Sequence, residues 1–265
     1  TQTVRILGRE FKTLPHPFWA EFAAGWEPNT LMFLKNNVRP NSTVLDIGAW
    51  IGPTAIMALA LGAAKVVAVE PNPKNYMHLL SLQLENRLFK QLQCLHACIS
   101  STRGFSTIGP IQGIVNASSA THIQGTLADG VDVQSVTLSD ILSIESFSLI
   151  KIDIEGHETE IISQLNQIGL HDTAVWLSVH PPFIKDKLTF VNHLQKLLDV
   201  FFIVTCDNNH LPLETLQTWV LSSDEKPHWG TPHGNFFEVG LLPRCSYRRA
   251  GSDGQTFSRH SKQDN

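Results

Sequence analysis

The sequence predicts an α/β fold: a doubly wound, mostly parallel sheet whose last strand runs antiparallel. Two observations carry this. Short apolar, β-branched runs alternate along the chain with stretches whose apolar residues recur at helical spacing. The first such run ends in a turn that contains Gly48 and Gly52, and the next ends in an acid, Glu70. Strands separated by helices need crossover connections, and crossovers make neighbouring strands parallel. With 265 residues, 42% of them hydrophobic and 17% charged, the chain has enough apolar surface for one large core.

The elements follow in order. Before residue 40, Trp19, Phe22, Trp26, Leu31 and Leu34 read as helical, so residues 1–40 are expected to form a helical lid over one sheet edge. The α/β domain is expected over residues 41–245. Its first strand is 43–47, followed by the glycine turn and a helix over 53–61. Pro53 stands in the first turn of that helix, where its missing N–H is harmless. Residues 65–70 make the second strand. Pro71, Asn72 and Pro73 then break the chain before a helix carrying Tyr76, Leu79, Leu80 and Leu84.

Residues 94–99 form a third apolar run. The segment 100–130, rich in Gly, Ser and Thr, reads as loop with a short hairpin, and Val131, Val133 and Val136 suggest an added strand. Residues 148–154 are the clearest later strand and feed a helix with Ile161, Ile162, Leu165 and Ile168 on one face. A strand over 174–180 is stopped by Pro181 and Pro182. A helix with Phe190, Leu194, Leu197 and Leu198 leads to strands over 201–205 and 235–241. Residues 246–265 are polar and rich in Gly and Ser, and are expected to be a disordered tail.

The net charge of -4 gives no electrostatic reason to expect a nucleic-acid partner. No apolar run is long enough to span a bilayer, and the first residues lack the basic and apolar regions of a secretory signal. The four cysteines are Cys94, Cys98, Cys206 and Cys245. In one extended run Cys94 and Cys98 stand roughly 13 Å apart, too far for a bridge. A reduced, cytoplasmic protein is the expectation.

In a doubly wound sheet, ligands bind beyond the carboxyl ends of the strands, where the strand order reverses. The turn Asp46-Ile47-Gly48-Ala49-Trp50-Ile51-Gly52 falls there. A dinucleotide fingerprint starting at Gly48 would need further glycines at 50 and 53, but the chain has Trp50 and Pro53. An indole where a pyrophosphate must approach the backbone argues against a nicotinamide cofactor, and no Walker-type phosphate loop is present. S-adenosylmethionine has no phosphate. It needs a bend beside its methionine and ribose, an acid for its ammonium group and an acid for its ribose diol. Asp46 and Glu70 are placed for those two tasks, Glu70 at about the 20-residue spacing expected of a ribose-binding acid.

With these residues in place, the chain resembles the FkbM family of methyltransferases over roughly residues 17–243. The resemblance rests on three stretches: Val44 to Gly52, Ala68 to Pro73, and Leu149-Ile150-Lys151-Ile152-Asp153-Ile154-Glu155-Gly156-His157-Glu158. Many members carry Asn where this chain has Trp50. The resemblance implies a Rossmann-like class I methyltransferase fold with S-adenosylmethionine as methyl donor. It also implies a hydroxyl acceptor on a sugar, glycolipid or natural product. Trp26-Glu27-Pro28 is similar to the segment ahead of the family's first motif. The implied cofactor site is therefore Glu27, Asp46, Gly48, Ala49, Trp50, Gly52, Glu70, Pro71 and Asn72.

Methyl transfer to a weakly acidic hydroxyl requires alignment and removal of a proton. The acceptor side should be built from the tips of the later strands. Lys151, Asp153 and Glu155 share one face by the two-residue strand period. Asp153 is the first candidate acid, although an Asp at that position also suits the cap of the next helix. His180, at the tip of the neighbouring strand, reads either as a structural histidine or as a general base beside Asp153. Asp153 and His180 could instead hold a divalent metal that lowers the acceptor's pKa, although no His-Glu-x-x-His spacing accompanies them. Glu155, His157, His233 and Asn235 are candidates for the acceptor wall. Two alternatives stay open: N-methylation of a peptide or amine, and a cofactor-binding module without activity.

Overall fold

The computed structural model describes residues 1–110, 121–123, 130–222 and 236–245. The chain opens with a hairpin, β1 (Gln2–Ile6) against β2 (Arg9–Thr13), followed by helices α1 (Phe18–Ala23) and α2 (Pro28–Asn37). The expected all-helical segment before residue 40 is thereby corrected. Val4, Ile6, Phe11 and Thr13 alternate with exposed residues and bury one face of the hairpin, which helical spacing cannot do. Nor is α2 only a lid: Phe33 stacks on Trp176 with ring centroids 4.5 Å apart, so the helix covers a face of the sheet.

Next come β3 (Thr43–Ile47), α3 (Pro53–Ala60), β4 (Lys65–Val69), α4 (Pro73–Glu85) and β5 (Leu92–Leu95). The apolar run 94–99 does not continue as one strand. It breaks at His96 and Ala97, and β6 (Cys98–Ile99) enters a second sheet with β7 (Gly104–Pro110), β8 (Thr121–Ile123) and β9 (Val131–Val136). The expected hairpin after residue 100 is β7 with β8, and the expected added strand is β9. The chain then runs through α5 (Leu138–Ile144), β10 (Leu149–Ile152), α6 (Glu158–Leu165), β11 (Ala174–Val179) and a short 3-10 turn at Pro181–Phe183. It ends in α7 (Lys187–Leu197), β12 (Phe201–Val204), α8 (Leu213–Leu221) and β13 (Phe237–Pro243).

The main sheet has seven strands in the order β12-β13-β11-β10-β3-β4-β5. All neighbours are parallel except β13, which runs antiparallel between β11 and β12, as the last strand was expected to. From β3 the chain winds outward through β4 and β5 and later returns through β10 on the other side. The order therefore reverses between β3 and β10, and a crevice opens beyond their tips.

Two cores form because side chains alternate across the sheet. Leu45, Ile47, Val67, Val69, Ile150, Ile152, Val175, Leu177 and Val179 face one side, under α5, α6 and α7. Val44, Val66, Ala68, Leu149 and Trp176 face the other, under α2, α3 and α4. The second face also carries the polar residues of the crevice. Register aligns Asp46, Lys151, Trp176 and Gly240 in one row across four strands. Two residues nearer the strand tips, Ser178 pairs with Glu238. Gly240 is dictated by packing, since a Cβ there would fall 2.4 Å from the ring of Phe33.

Candidate active site

The turn after β3 is held from both neighbouring strands. Gly48 and Ala49 donate their N–H groups to the carbonyl of Val69 at 3.0 and 3.1 Å. Trp50 adopts a left-handed backbone (φ 52°) and donates its N–H to Oε2 of Glu70 at 2.8 Å. Glu70 also accepts from the Asn72 N–H at 2.8 Å and from the Asn75 amide at 3.4 Å. Burial pushes the Glu70 carboxyl up to about 7, against the pull of these donors. The amides of Gly48, Ala49 and Trp50 are thus taken up by a strand carbonyl and an acid. Asn72 caps α4 by accepting from Lys74 N at 2.9 Å, and Pro73 fills the first helical position.

The indole of Trp50 turns toward the N-terminal segment. Its ring lies 4.3 Å from Phe18 and 6.4 Å from Trp26, and Phe18 lies 5.0 Å from Trp26. This aromatic group fastens the segment between α1 and α2 over the turn. Glu27 follows with φ 39°, a strained value for a residue with a side chain.

Lys151 is the buried cation beneath the crevice. Its Nζ donates to the Gly48 carbonyl at 2.8 Å and faces Asp46 Oδ1 at 3.4 Å and Asp153 Oδ2 at 3.5 Å. Burial alone would lower its pKa, but Asp153, Asp46 and Glu27 outweigh that and hold it above the ordinary lysine value. Asp46 also accepts from the Thr54 hydroxyl. It is buried behind the turn, so Lys151 and Thr54 meet it rather than the open space.

On the other side of the crevice, His180 is buried at the end of β11. Its Nδ1 lies 2.6 Å from Glu158 Oε1, and its Nε2 lies 3.6 Å from Asp153 Oδ1. Burial pulls the imidazole down, but the Glu158 hydrogen bond and the charges of Glu158, Asp153 and Glu155 raise it to about 9. Glu155 is no longer on the strand, which ends at Ile152. It sits in a turn with φ 46°, and burial pushes its carboxyl up to about 7. Nearby, Thr30 lies 3.1 Å from Glu27 Oε2, contacts Glu238 and receives the Trp176 indole N–H at 2.9 Å. Burial, with the charges of Asp153 and Glu238, holds Glu27 well above the usual carboxylate range. Burial also raises Glu238.

These groups meet in one cavity of about 750 Å³. Of the residues expected to bind cofactor, Glu27, Gly48, Ala49, Trp50, Glu70 and Pro71 line it, while Asp46, Gly52 and Asn72 stand behind its wall. Asp153, Glu155, His157 and His180 line it as well, so the donor and acceptor candidates share one space. Asp153 does not cap α6, whose first flanking residue is His157. His157 Nδ1 lies 3.1 Å from Glu160, which pulls the Glu160 carboxyl down to about 2. His233 and Asn235 lie outside the described residues, as does the segment 246–265.

The metal expectation finds no support. Among the described residues no group of three or more His, Cys, Asp or Glu side chains is arranged to hold an ion. No helix among the described residues is long and apolar enough to cross a membrane.

Sequence reasoning missed the roles of Lys151, Glu158, Thr30 and Glu238. Lys151 carried a signal, because a lysine inside a buried β-branched strand requires partners. Glu158 looked like an ordinary acid in the first turn of a helix, a favourable place for any carboxylate. Thr30 and Glu238 are 208 residues apart and meet only through the sheet register.

Residues 46–202 match the model of the methyltransferase FkbM domain. Similar solved structures include a methyltransferase FkbM from Methylobacillus flagellatus, at 11% identity and a TM-score of 0.47, covering 85% of this chain and 60% of that one. Another is precorrin-6y C5,15-methyltransferase from Geobacter metallireducens, at 13% identity and a TM-score of 0.42, covering 82% and 87%. A third is a dimethyladenosine transferase from Plasmodium falciparum, at 12% identity and a TM-score of 0.44, covering 86% and 66%. A comparison with curated protein sequences gives no match. The assignment rests on the domain match, which spans more than half of the sequence and contains the turn, Glu70 and the block from Lys151 to His180: the chain belongs to the FkbM family of methyltransferases.

Proposed function

We propose that this methyltransferase transfers the methyl group of S-adenosylmethionine to a hydroxyl of a sugar, glycolipid or natural-product acceptor. Use of that donor follows from the family. The residues present fit it: the cavity is lined by Glu27, Glu70, Asp153, Glu155 and Glu238 against the buried cations Lys151 and His180. An acid-rich wall suits a ligand with sulfonium and ammonium charges and no phosphate. Glu70 would hold the ribose hydroxyls, Glu27 the ammonium end, and Ala97 to Ile99 the apolar wall beside the base. Bound there, the donor supplies an electrophilic methyl group.

The observation that carries the hydroxyl reading is the position of Asp153. Its carboxylate stands at the reversal point with Lys151 on one oxygen and His180 on the other, at 3.5 and 3.6 Å. Both separations exceed ordinary hydrogen-bond lengths, so neither cation bonds Asp153 directly, and its partly exposed carboxylate faces the cavity. Asp153 takes the hydroxyl proton as the new carbon–oxygen bond forms, a task carboxylates perform for other weakly acidic hydroxyls. Ser178 and Glu155 offer further polar contacts, and Phe236 an apolar one.

The remaining expectations belong to this reading. A small-molecule or glycan partner suits an acid-lined cavity better than a phosphodiester chain does. The four free thiols suit a reducing, cytoplasmic setting. The test is methyl transfer from labelled S-adenosylmethionine into extracts and purified glycans, with product bonds identified by NMR. Labelled ethers support the proposal; labelled amines as the main product overturn it in favour of N-methylation.

A further inference from the structure

We propose that Glu158 is a positioning residue that fixes the ring of His180 as a charged hydrogen-bond donor aimed at Asp153, so that His180 orients and polarises the acceptor site while Asp153 alone removes the proton. This rests on the placement of the acceptor beside Asp153 proposed above.

Three observations support it. Glu158 is fully buried at the start of α6, yet it reaches across to β11 and meets Nδ1 of His180 at 2.6 Å. The proposal gives Nδ1 the donor role in this contact, with the Glu158 oxygen accepting. The rings of Phe183 and Phe236 lie nearly parallel to the imidazole, at 6.3 and 5.9 Å with interplanar angles of 26° and 21°. These rings flank the imidazole without contact stacking, so its orientation is set by the Glu158 hydrogen bond. The remaining nitrogen, Nε2, has a carboxylate oxygen, Asp153 Oδ1, as its charged neighbour at 3.6 Å. A lone pair there would oppose another lone pair; an N–H is the complementary partner. With hydrogens on both nitrogens, the ring is an imidazolium and has no basic site to offer.

The charged groups facing this ring come from each element around it. Glu158 comes from α6, and Asp153 and Glu155 come from the segment after β10. The neighbouring cation, Lys151, is turned to the other oxygen of Asp153 and to Asp46. Glu158 and Asp153 on the two ring nitrogens favour the imidazolium form. The pair is built as a buried ion pair, so removing one partner strands the other.

The test is an NMR titration of the imidazole in intact, acceptor-free protein labelled at histidine, in the wild type and in Glu158→Gln. The expected wild-type result is an imidazolium at neutral pH with both ring nitrogens protonated. In Glu158→Gln the midpoint falls by at least about one pH unit. With the acceptor identified, kcat of that variant falls at least about tenfold, its alkaline limb moves with the NMR midpoint, and S-adenosylmethionine affinity changes less than about twofold. A wild-type His180 that is neutral at pH 7 overturns the proposal, as does a midpoint unmoved by Glu158→Gln. The wild-type titration decides the charge state without any variant, should Glu158→Gln fail to fold. Because it is read on free protein, it separates this claim from the choice of acceptor: a failed methyl-transfer screen with the expected midpoint rejects the hydroxyl reading only.

Discussion

The carbonyl oxygen of Asp153 occupies the place a side chain at Gly48 would need: a Cβ at position 48 would fall 1.8 Å from it. The glycine is thus fixed by the neighbouring strand tip as well as by its own φ of 73°. The turn after β3 and the segment after β10 meet backbone to backbone, and Asp153 in turn donates its N–H to Ile47 at 3.1 Å. The two halves of the site are registered to each other by these contacts. Gly48→Ala is therefore expected to cost about 3 kcal/mol or more, since it combines an incompatible φ with a clash against backbone. Chemical denaturation checks this, and a loss below about 1 kcal/mol would show that the strand tips are not locked.

Trp50 links the turn to the N-terminal segment through Phe18 and Trp26. Trp50→Ala should destabilise the protein by about 3 kcal/mol, in the range for losing a large packed aromatic. It should also open the segment from His16 to Glu27 to proteases. Limited proteolysis with mass spectrometry reads this directly. Unchanged cleavage would mean the segment is held by the hairpin alone.

Asp153→Asn keeps the shape of the side chain but removes the proposed base. Its expected effect is a fall in kcat of roughly 10²- to 10⁴-fold with donor affinity changed only a few-fold. Steady-state kinetics beside calorimetry separates the two. Wild-type turnover in this variant would assign proton removal to another group.

Stability should decline as pH rises. His180, raised from 6.5 to about 9, contributes stability that is complete below 6.5 and lost as pH climbs through 9. Glu70 and Glu155, raised from 4.5 to about 7, act in the same direction between those values, because each folded carboxyl holds its proton more tightly than the unfolded chain does. Thermal unfolding midpoints are thus expected to fall between about pH 5 and pH 9, by a few kcal/mol in free-energy terms. A profile that rises across this range would contradict the assigned shifts.

Much of the fold was legible because the sheet writes a simple pattern. Runs such as Val66 to Val69 and Ala174 to Leu177 are apolar and buried on both sides, as strands covered by helices on both faces must be. The turn and Glu70 were legible for a similar reason, since one local spacing sets both. The hairpin of residues 2–13 was less so. Its alternation is short, and its turn uses Leu7 and Gly8 at φ 48° and 81° in place of the usual Asn-Gly signal. The charge network was hardest. Lys151, Asp46 and Asp153 are brought together by register between strands a hundred residues apart, and Glu158 reaches His180 through packing of α6 on β11. No local spacing encodes such contacts.

The most direct test of the account is calorimetric titration of S-adenosylmethionine into the intact protein and into Glu70→Ala. One site per chain is expected in the wild type, with binding that weakens as pH falls below about 7 while Glu70 takes up its proton, and with a loss of at least about tenfold in the variant, as for hydrogen bonds to a charged group. No binding by the wild type, or equal binding by Glu70→Ala, would contradict it.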